Sequence, residues 1–163
     1  NINLHNTGEN TLTGGRLKRL TKYLNNTFFL TYGDGVASVD IRKLVNFHKK
    51  NKKLATVTAV KPAGRFGAIE LDKNIVKRFL EKPKGDGGWI NGGFFVLNKK
   101  IFKYLKKSPC VWEQEPLEQL AKNNQLNAFK HDGFWYAMDT LRDKNFLEGL
   151  WDKKEAPWKI WNE

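Results

Sequence analysis

The sequence predicts a mixed α/β domain organised around a parallel sheet. Two short apolar runs, at Phe28–Leu30 and Leu54–Val60, are typical of strands that a parallel sheet buries on both faces. The segment between them starts with Asp40, a good N-cap, and carries apolar residues at helical spacing. Strand, helix and strand in this order indicate a right-handed crossover, so the two strands should be neighbours. With 163 residues, 40% of them apolar, the chain is long enough for one domain with a core.

The remaining elements follow in chain order. Phe66–Leu71 and Ile75–Leu80 flank a polar Asp-Lys-Asn turn and predict a hairpin, and Trp89–Leu97 predicts an aromatic-rich strand. Further apolar periodicities predict short helices around Ile101–Leu105 and Pro116–Ala121, strands at Leu126–Phe129 and Phe134–Met138, and a helix over Thr140–Trp151 with Leu147, Leu150 and Trp151 facing inward.

The tail, residues 152–163, is rich in aromatic side chains. It carries Pro157, Trp158, Ile160 and Trp161, a density that is unusual for a free chain end. We therefore expect the tail to dock onto the domain or onto a second subunit. The prediction is a single domain over residues 1–163 that assembles as a homo-oligomer.

The chain is basic, with 29 Lys and Arg against 17 Asp and Glu and a net charge of +12. Nucleic acids, nucleotides and sugar phosphates all suit this charge. Lysine pairs such as Lys49-Lys50 lie on predicted helix surfaces without a nucleic-acid-binding signature, so we expect no nucleic acid partner. No segment resembles a signal peptide or a membrane span, which predicts a cytoplasmic protein without a membrane partner.

Cysteine and histidine give no indication of a metal site. Cys110 is the only cysteine, which excludes an internal disulfide and a cysteine-rich metal site. His5, His48 and His131 lie far apart in sequence without metal-ligand spacing, so we expect structural roles for them.

Two aspartates follow predicted strands. Asp34 stands between Gly33 and Gly35, directly after the first strand. Ligands collect at the carboxyl ends of strands in open α/β sheets, so Asp34 is a candidate for holding a metal ion or a ribose. A turn with a solvated aspartate explains the same residues equally well. Asp139 follows the strand at Phe134–Met138, and its alternative role is the N-cap of the next helix.

Seven motifs occur in one order along nearly the whole chain: Thr13–Arg19, Thr31–Val36, Gly64–Ala68, Glu81–Asp86, Asn91–Val96, Trp112–Leu117 and Met138–Asp143. Together they resemble the glucose-1-phosphate cytidylyltransferases, a branch of the sugar nucleotidyltransferase family, and the set is far more specific than a single glycine-rich loop. The family's glycine-rich loop and the Lys-Pro pair after it, which hold the nucleotide triphosphate, have no match here. The resemblance therefore implies the C-terminal part of an enzyme, inactive on its own.

The resemblance implies a Rossmann-like, mostly parallel sheet flanked by helices, of the nucleotide-diphospho-sugar transferase type, with its N-terminal strands missing. It implies Mg²⁺-dependent in-line formation of CDP-glucose and pyrophosphate from CTP and glucose 1-phosphate, for dideoxysugar and O-antigen-type polysaccharide biosynthesis. Asp34 and Asp139 match the family's metal ligands, and carboxylates suit Mg²⁺. Lys82 matches a third catalytic position, and the matching substrate- and nucleotide-binding positions are Thr11, Arg16, Gly33, Gly67, Glu81, Asn91 and Gly92.

Other functions stay open at this point. Thymidylyl and guanylyl relatives carry other residues at Thr13–Arg19, which favours CTP as the nucleotide. A non-catalytic module with the same fold would lose its metal carboxylates, whereas both aspartates are present. Glu113 and Glu115 suit either an acid/base pair or structural hydrogen bonds, and a displacement without a covalent intermediate needs no such pair.

Overall fold

The computed structural model describes residues 1–62, 68–80, 88–106 and 109–161, which form both helices and strands. The predicted hairpin, strands and helices are present with small shifts at their ends, whereas α1 and β2 are additional to the prediction. The elements are α1 (Leu12–Arg19), β1 (Thr27–Thr31), β2 (Gly35–Ala37), α2 (Ile41–Asn51), β3 (Ala55–Val60), β4 (Ala68–Asp72), β5 (Ile75–Leu80), β6 (Ile90–Asn98), α3 (Glu115–Lys122), β7 (Leu126–His131), β8 (Trp135–Ala137) and α4 (Leu141–Asp152), with 3₁₀ turns at Thr21–Tyr23 and Lys99–Tyr104.

The central sheet has the strand order β1-β6-β3-β7. The N–H of Asn98, at the end of β6, donates to the carbonyl of Leu54 before β3 at 2.8 Å, so these strands are antiparallel. The Lys99 N–H donates to Asn26 before β1 at 2.7 Å and makes β6 antiparallel to β1 as well. Since Ala55 and Gln125 join the starts of β3 and β7, three of the strands run in one direction, which confirms the mixed and mostly parallel α/β sheet.

The prediction that β1 and β3 are neighbours is wrong, because β6 lies between them. A right-handed crossover fixes the direction and the hand of the second strand, but it does not fix how many strands lie between. The expected burial of β1 on both faces is also wrong. Phe28 is buried and Phe29 is 53% exposed, so the described residues cover only one face of this strand.

Residue contacts divide the chain into two compact units. The first consists of Asn1–Leu30, Arg42–Val57 and Phe94–Phe129. Its core includes the buried rings of Phe95 and Trp112, which meet edge to face with their centroids 5.9 Å apart. These rings supply much of the apolar area whose removal from water stabilises the unit.

The second unit consists of Thr31–Ile41, Thr58–Gly93 and Lys130–Glu163. It contains the antiparallel β2–β8 ribbon and the antiparallel β4–β5 hairpin. Its helix α4 starts with a capping box, in which the side chain of Thr140 accepts from the N–H of Asp143 while the Asp143 carboxylate accepts from the N–H of Thr140.

The aromatic tail docks onto the second unit. The Trp158 ring lies 5.3 Å from that of Phe134, and the Trp161 ring lies 6.4 Å from that of Trp151. The inward position predicted for Leu147 is confirmed. Trp151 is 47% exposed, and its ring contacts Trp161 of the tail instead of facing inward. Asp143 takes the buried position on α4, because its carboxylate is hydrogen-bonded to Thr140 and to the Tyr136 hydroxyl.

A helix that crosses a membrane needs about 20 consecutive apolar residues. Within the described ranges, no helix is both long enough and apolar enough to span a bilayer.

His48 links stability to pH. Its ring is 5% exposed and its Nδ1 lies 2.9 Å from Oγ1 of Thr56, and burial lowers the pKa of His48 from its ordinary value of 6.5. The unfolded chain then binds the proton more readily, so the stability contributed by neutral His48 is present above pH 6.5 and is lost as the pH falls below it. Urea unfolding should give a lower free energy of unfolding at pH 5.5 than at pH 7.5, and His48→Gln should reduce this difference. The exposed His5→Gln should leave the pH dependence unchanged, and an unchanged dependence in His48→Gln would contradict the assignment.

Two helical glycines form a matched pair for testing the packing of α1. A Cβ on Gly14 would lie 2.8 Å from Sγ and 3.1 Å from the carbonyl oxygen of Cys110, whereas a Cβ on Gly149 in α4 meets nothing within 4 Å. We expect Gly14→Ala to lower the free energy of unfolding by about 1–3 kcal/mol through overpacking. Gly149→Ala should raise it by up to about 1 kcal/mol, because alanine is the better helix former. Urea denaturation measures both, and equal effects would contradict close packing at Gly14.

Candidate active site

Asp34 and Asp139 lie at one end of the β2–β8 ribbon. The register pairs Gly35 with Ala137, and the N–H of Met138 donates to the carbonyl of Asp34 at 2.8 Å, which extends the ladder by one step. Asp139 is therefore one residue past the partner of Asp34. The ladder brings to one end of the ribbon the two aspartates that the sequence analysis paired through the family resemblance.

The carboxylates are accessible to a ligand. Both Asp34 and Asp139 are exposed, and a Cβ on Gly33 would meet nothing within 4 Å. The regular ladder ends at Gly35 and Ala137, so the residues beyond it need not alternate between opposite faces. A ligand can approach this end of the ribbon.

The alternative role of Asp139 as a helix N-cap is wrong. Thr140 occupies the N-cap of α4, with extended backbone and a side chain that accepts from Asp143. The helix start is complete without Asp139, because Asp143 satisfies the N-cap backbone in return. Asp139 therefore takes no part in the cap that Thr140 and Asp143 form.

A pair of carboxylates suits Mg²⁺. This ion usually takes one or two protein carboxylates and fills its octahedral shell with phosphate oxygens and water. Outside residues 63–67, 81–87, 107–108 and 162–163, no group of three or more His, Cys, Asp or Glu side chains is arranged to hold a metal. Asp34 and Asp139 provide the number of carboxylates that Mg²⁺ usually takes from a protein.

Asn91 lies in the same unit at the start of β6. Its Nδ2 donates to the Tyr32 hydroxyl at 2.9 Å, and its Oδ1 accepts from the N–H of Gly93 at 2.9 Å. The N–H of Tyr32 in turn donates to the carbonyl of Gly93 at 3.0 Å. Gly93 has φ +78° and a Cβ there would lie 2.7 Å from the Tyr32 ring, so only glycine fits. The exposed amide of Asn91 is held in one orientation, with one N–H and a carbonyl lone pair left for a ligand.

Gly92 has a packing role. A Cβ on this buried residue would lie 2.8 Å from Val60 Cγ1 and 3.0 Å from the Thr58 carbonyl oxygen. Its own carbonyl accepts from the indole Nε1 of Trp135 at 2.8 Å. The glycine that the family resemblance assigns to the sugar thus also allows close strand packing, and it connects β6 to the ribbon through Trp135.

Thr11 and Arg16 belong to the first unit, where they hold the loop before α1. Thr11 is 3% exposed and its hydroxyl donates to the carbonyls of Thr7 and Gly8. Arg16 donates through Nη1 to the Thr7 hydroxyl at 2.8 Å and through Nη2 to the Glu9 carbonyl at 2.9 Å. A guanidinium has five N–H donors, so Arg16 retains donors for an anion.

The Glu113 side chain has a structural hydrogen bond. Its Oε2 accepts from the hydroxyl of Thr13 at 2.7 Å, and that hydroxyl oxygen accepts from the N–H of Trp112 at 2.9 Å. Of the two roles that the sequence left open for Glu113, this contact favours the structural one.

Three of the predicted site residues, Gly67, Glu81 and Lys82, lie outside the described residues. In the other direction, the structure brings Tyr32 into contact with Asn91 and Trp135 into contact with Gly92, and the sequence analysis selected neither Tyr32 nor Trp135. Tyr32 directly precedes Gly33 in the Thr31–Val36 motif, and that position was the available signal. Trp135 gave none beyond its place in an apolar strand.

Comparison with known proteins identifies the family of this chain. A family model described as nucleotidyl transferase matches residues 3–143. The glucose-1-phosphate cytidylyltransferases of Salmonella typhi and Salmonella typhimurium are each 53% identical over 163 residues, covering 99% of this chain and 63% of the relative. The chain therefore spans less than two thirds of the length of these curated relatives. A solved UDP-glucose pyrophosphorylase in complex with UDP-glucose shares the fold, with a TM-score of 0.64 at 17% identity over 91% of this chain and 64% of that one.

Proposed function

This chain belongs to the nucleotidyl transferase family, and we propose that, in a protein of its relatives' full length, it transfers the cytidylyl group of CTP to glucose 1-phosphate. The products are CDP-glucose and pyrophosphate. The observation that carries the proposal is the β2–β8 ladder, which brings Asp34 and Asp139 to one end of a ribbon in a chain 53% identical to glucose-1-phosphate cytidylyltransferases.

The proposed reaction is an in-line displacement. A phosphate oxygen of glucose 1-phosphate attacks the α-phosphorus of CTP, a new P–O bond forms, and the bond to the β-phosphate breaks to release pyrophosphate. Because both reactants are anions, the protein has to align them and offset their repulsion. Asp34 and Asp139 would hold Mg²⁺, which supplies positive charge beside the reacting phosphates.

The sugar is proposed to bind beside Asn91. The remaining N–H and lone pair of this amide suit sugar hydroxyls, and the Tyr32 and Gly93 contacts hold the amide in place before a ligand arrives. Such pre-organisation reduces the entropy lost on binding. From the family resemblance we also propose that Glu81 contacts sugar hydroxyls, that Lys82 contacts the sugar phosphate, and that Gly67 leaves room for the ring.

From the family resemblance, Thr11 and Arg16 of the first unit and Gly33 of the second are each proposed to contact the nucleotide. Arg16 fixes the loop at Thr7 and Glu9 and keeps donors for a phosphate or for the edge of a base. Rates with CTP, dTTP, UTP and GTP test the base preference. A preference for dTTP or GTP would assign the chain to another branch of the family. We further propose a role in dideoxysugar and O-antigen-type polysaccharide biosynthesis, in the cytoplasm.

Assembly as a homo-oligomer is part of the same proposal. On β5 the side chains of Ile75, Val76 and Phe79 are all more than half exposed. Exposed apolar patches of this kind are common at interfaces between subunits. Light scattering of the full-length protein measures the number of copies, and a monomer would contradict this part.

Neutralising either carboxylate should impair catalysis. In the full-length protein we expect Asp34→Asn and Asp139→Asn each to lower kcat by about 10²-fold or more, because each removes a charged metal ligand. Asp132→Asn, at an exposed aspartate between β7 and β8, is the matched control and should retain the wild-type rate. Release of pyrophosphate, measured over a Mg²⁺ titration, reports the effect. A near-normal kcat in either active-site variant would refute the two-ligand proposal.

Chain length supplies a second test. The family's glycine-rich nucleotide loop is not among the 163 residues, so we expect this chain alone to show no turnover of CTP with glucose 1-phosphate. A protein that also carries the upstream part of its relatives should show saturable turnover. The same pyrophosphate assay applies to both proteins at equal concentration. Turnover by the 163-residue chain would contradict the need for the loop.

A further inference from the structure

Trp89, Lys61 and Lys130 form a cationic aromatic cluster in the second unit. The Nζ atoms of Lys61 and Lys130 lie 4.7 Å and 5.4 Å from the centroid of the Trp89 ring. The ring is 36% exposed and both lysines are exposed. Each of the three residues lies in or next to a different strand: Lys61 follows β3, Trp89 precedes β6 and Lys130 lies in β7.

The cluster brings two positive charges to one aromatic ring. The ring attracts each ammonium by about 0.5–1 kcal/mol at an exposed site. The two ammonium groups repel one another, and the net charge of +12 on the chain adds to the positive potential around them. A dianion that reaches both groups would therefore gain two charge-assisted hydrogen bonds at the cost of two weak ring contacts.

The position of the cluster relates it to the proposed sugar site. Trp89 directly precedes β6 and Asn91 is the second residue of this strand, so the two are two residues apart. Their separation along an extended chain is roughly 7 Å. One ligand of the size of a phosphorylated hexose can contact both side chains.

We propose that Trp89, Lys61 and Lys130 form a subsite for the acceptor sugar phosphate. The indole ring offers an apolar surface to the C–H face of a pyranose, while the two ammonium groups take the phosphate. A ligand that carries both features is a hexose phosphate. This inference rests on the proposed function and adds three positioning residues that neither the motifs nor the comparisons assign.

Steady-state kinetics on the full-length protein test the subsite. Trp89→Leu and the double variant Lys61→Met/Lys130→Met should each raise the KM for glucose 1-phosphate about tenfold, while the KM for CTP stays within about twofold. Trp89→Phe keeps an aromatic face and should stay closer to wild type. Lys49→Met on α2 and Trp161→Leu in the tail are matched controls and should leave both KM values unchanged. An unchanged KM for glucose 1-phosphate, or a rise confined to the KM for CTP, would overturn the subsite.

Calorimetry gives a readout that does not require turnover. With glucose 1-phosphate as the probe and no CTP, the affinity should fall about tenfold in the double lysine variant. Glucose itself carries no phosphate and should bind wild type and double variant equally. Equal affinity of both proteins for glucose 1-phosphate, or no binding to wild type, sinks the subsite. Failure of the proposed function alone would appear differently, as lysine-dependent binding without turnover of CTP.

Discussion

The pairing of β2 with β8 is the constraint on which the candidate site depends. Asp34 and Asp139 are distant in sequence, and the ladder that pairs Gly35 with Ala137 brings them to the same end of one ribbon. The side-chain period of a strand is two, so a slip by one residue would exchange the two faces of β8 and change which residue stands opposite Asp34. The hydrogen bond from Met138 to the Asp34 carbonyl sets the register where the carboxylates emerge.

Contacts at the other end of the ribbon fix the same register. The N–H of Ser38 donates to the carbonyl of Phe134 at 3.0 Å, and the N–H of Phe134 donates to the Ser38 hydroxyl at 3.1 Å. Between the two ends, the Trp135 indole donates to the Gly92 carbonyl and the Tyr136 hydroxyl to Asp143. A short ribbon is marginal by itself. These hydrogen bonds explain how a ribbon with only three pairs of residues keeps the register that brings Asp34 and Asp139 to one end.

Local patterns predicted most of the elements, because apolar periodicity reflects the face that a segment buries. They did not predict that β6 lies between β1 and β3, since sheet order depends on packing between distant segments. They also suggested Asp139 as a helix cap. Thr140 takes that role because it is the residue with Asp143 three positions ahead, which completes a reciprocal capping box. The proposal that the two aspartates are metal ligands came from the family resemblance, because an Asp after a strand is equally suited to a turn.

The location of a lysine on the fold, rather than the number of lysines, decides what it can bind. Lys49 and Lys50 end a helix, and composition described them correctly as a solvated face. Lys61 and Lys130 are attached to neighbouring strands, and the insertion of β6 beside β3 brings Trp89 to them. Strands of one sheet fix these backbone positions, so the entropy lost on binding a ligand is confined to the side chains. The feature of topology that sequence patterns missed is thus also the one that creates the cationic aromatic cluster.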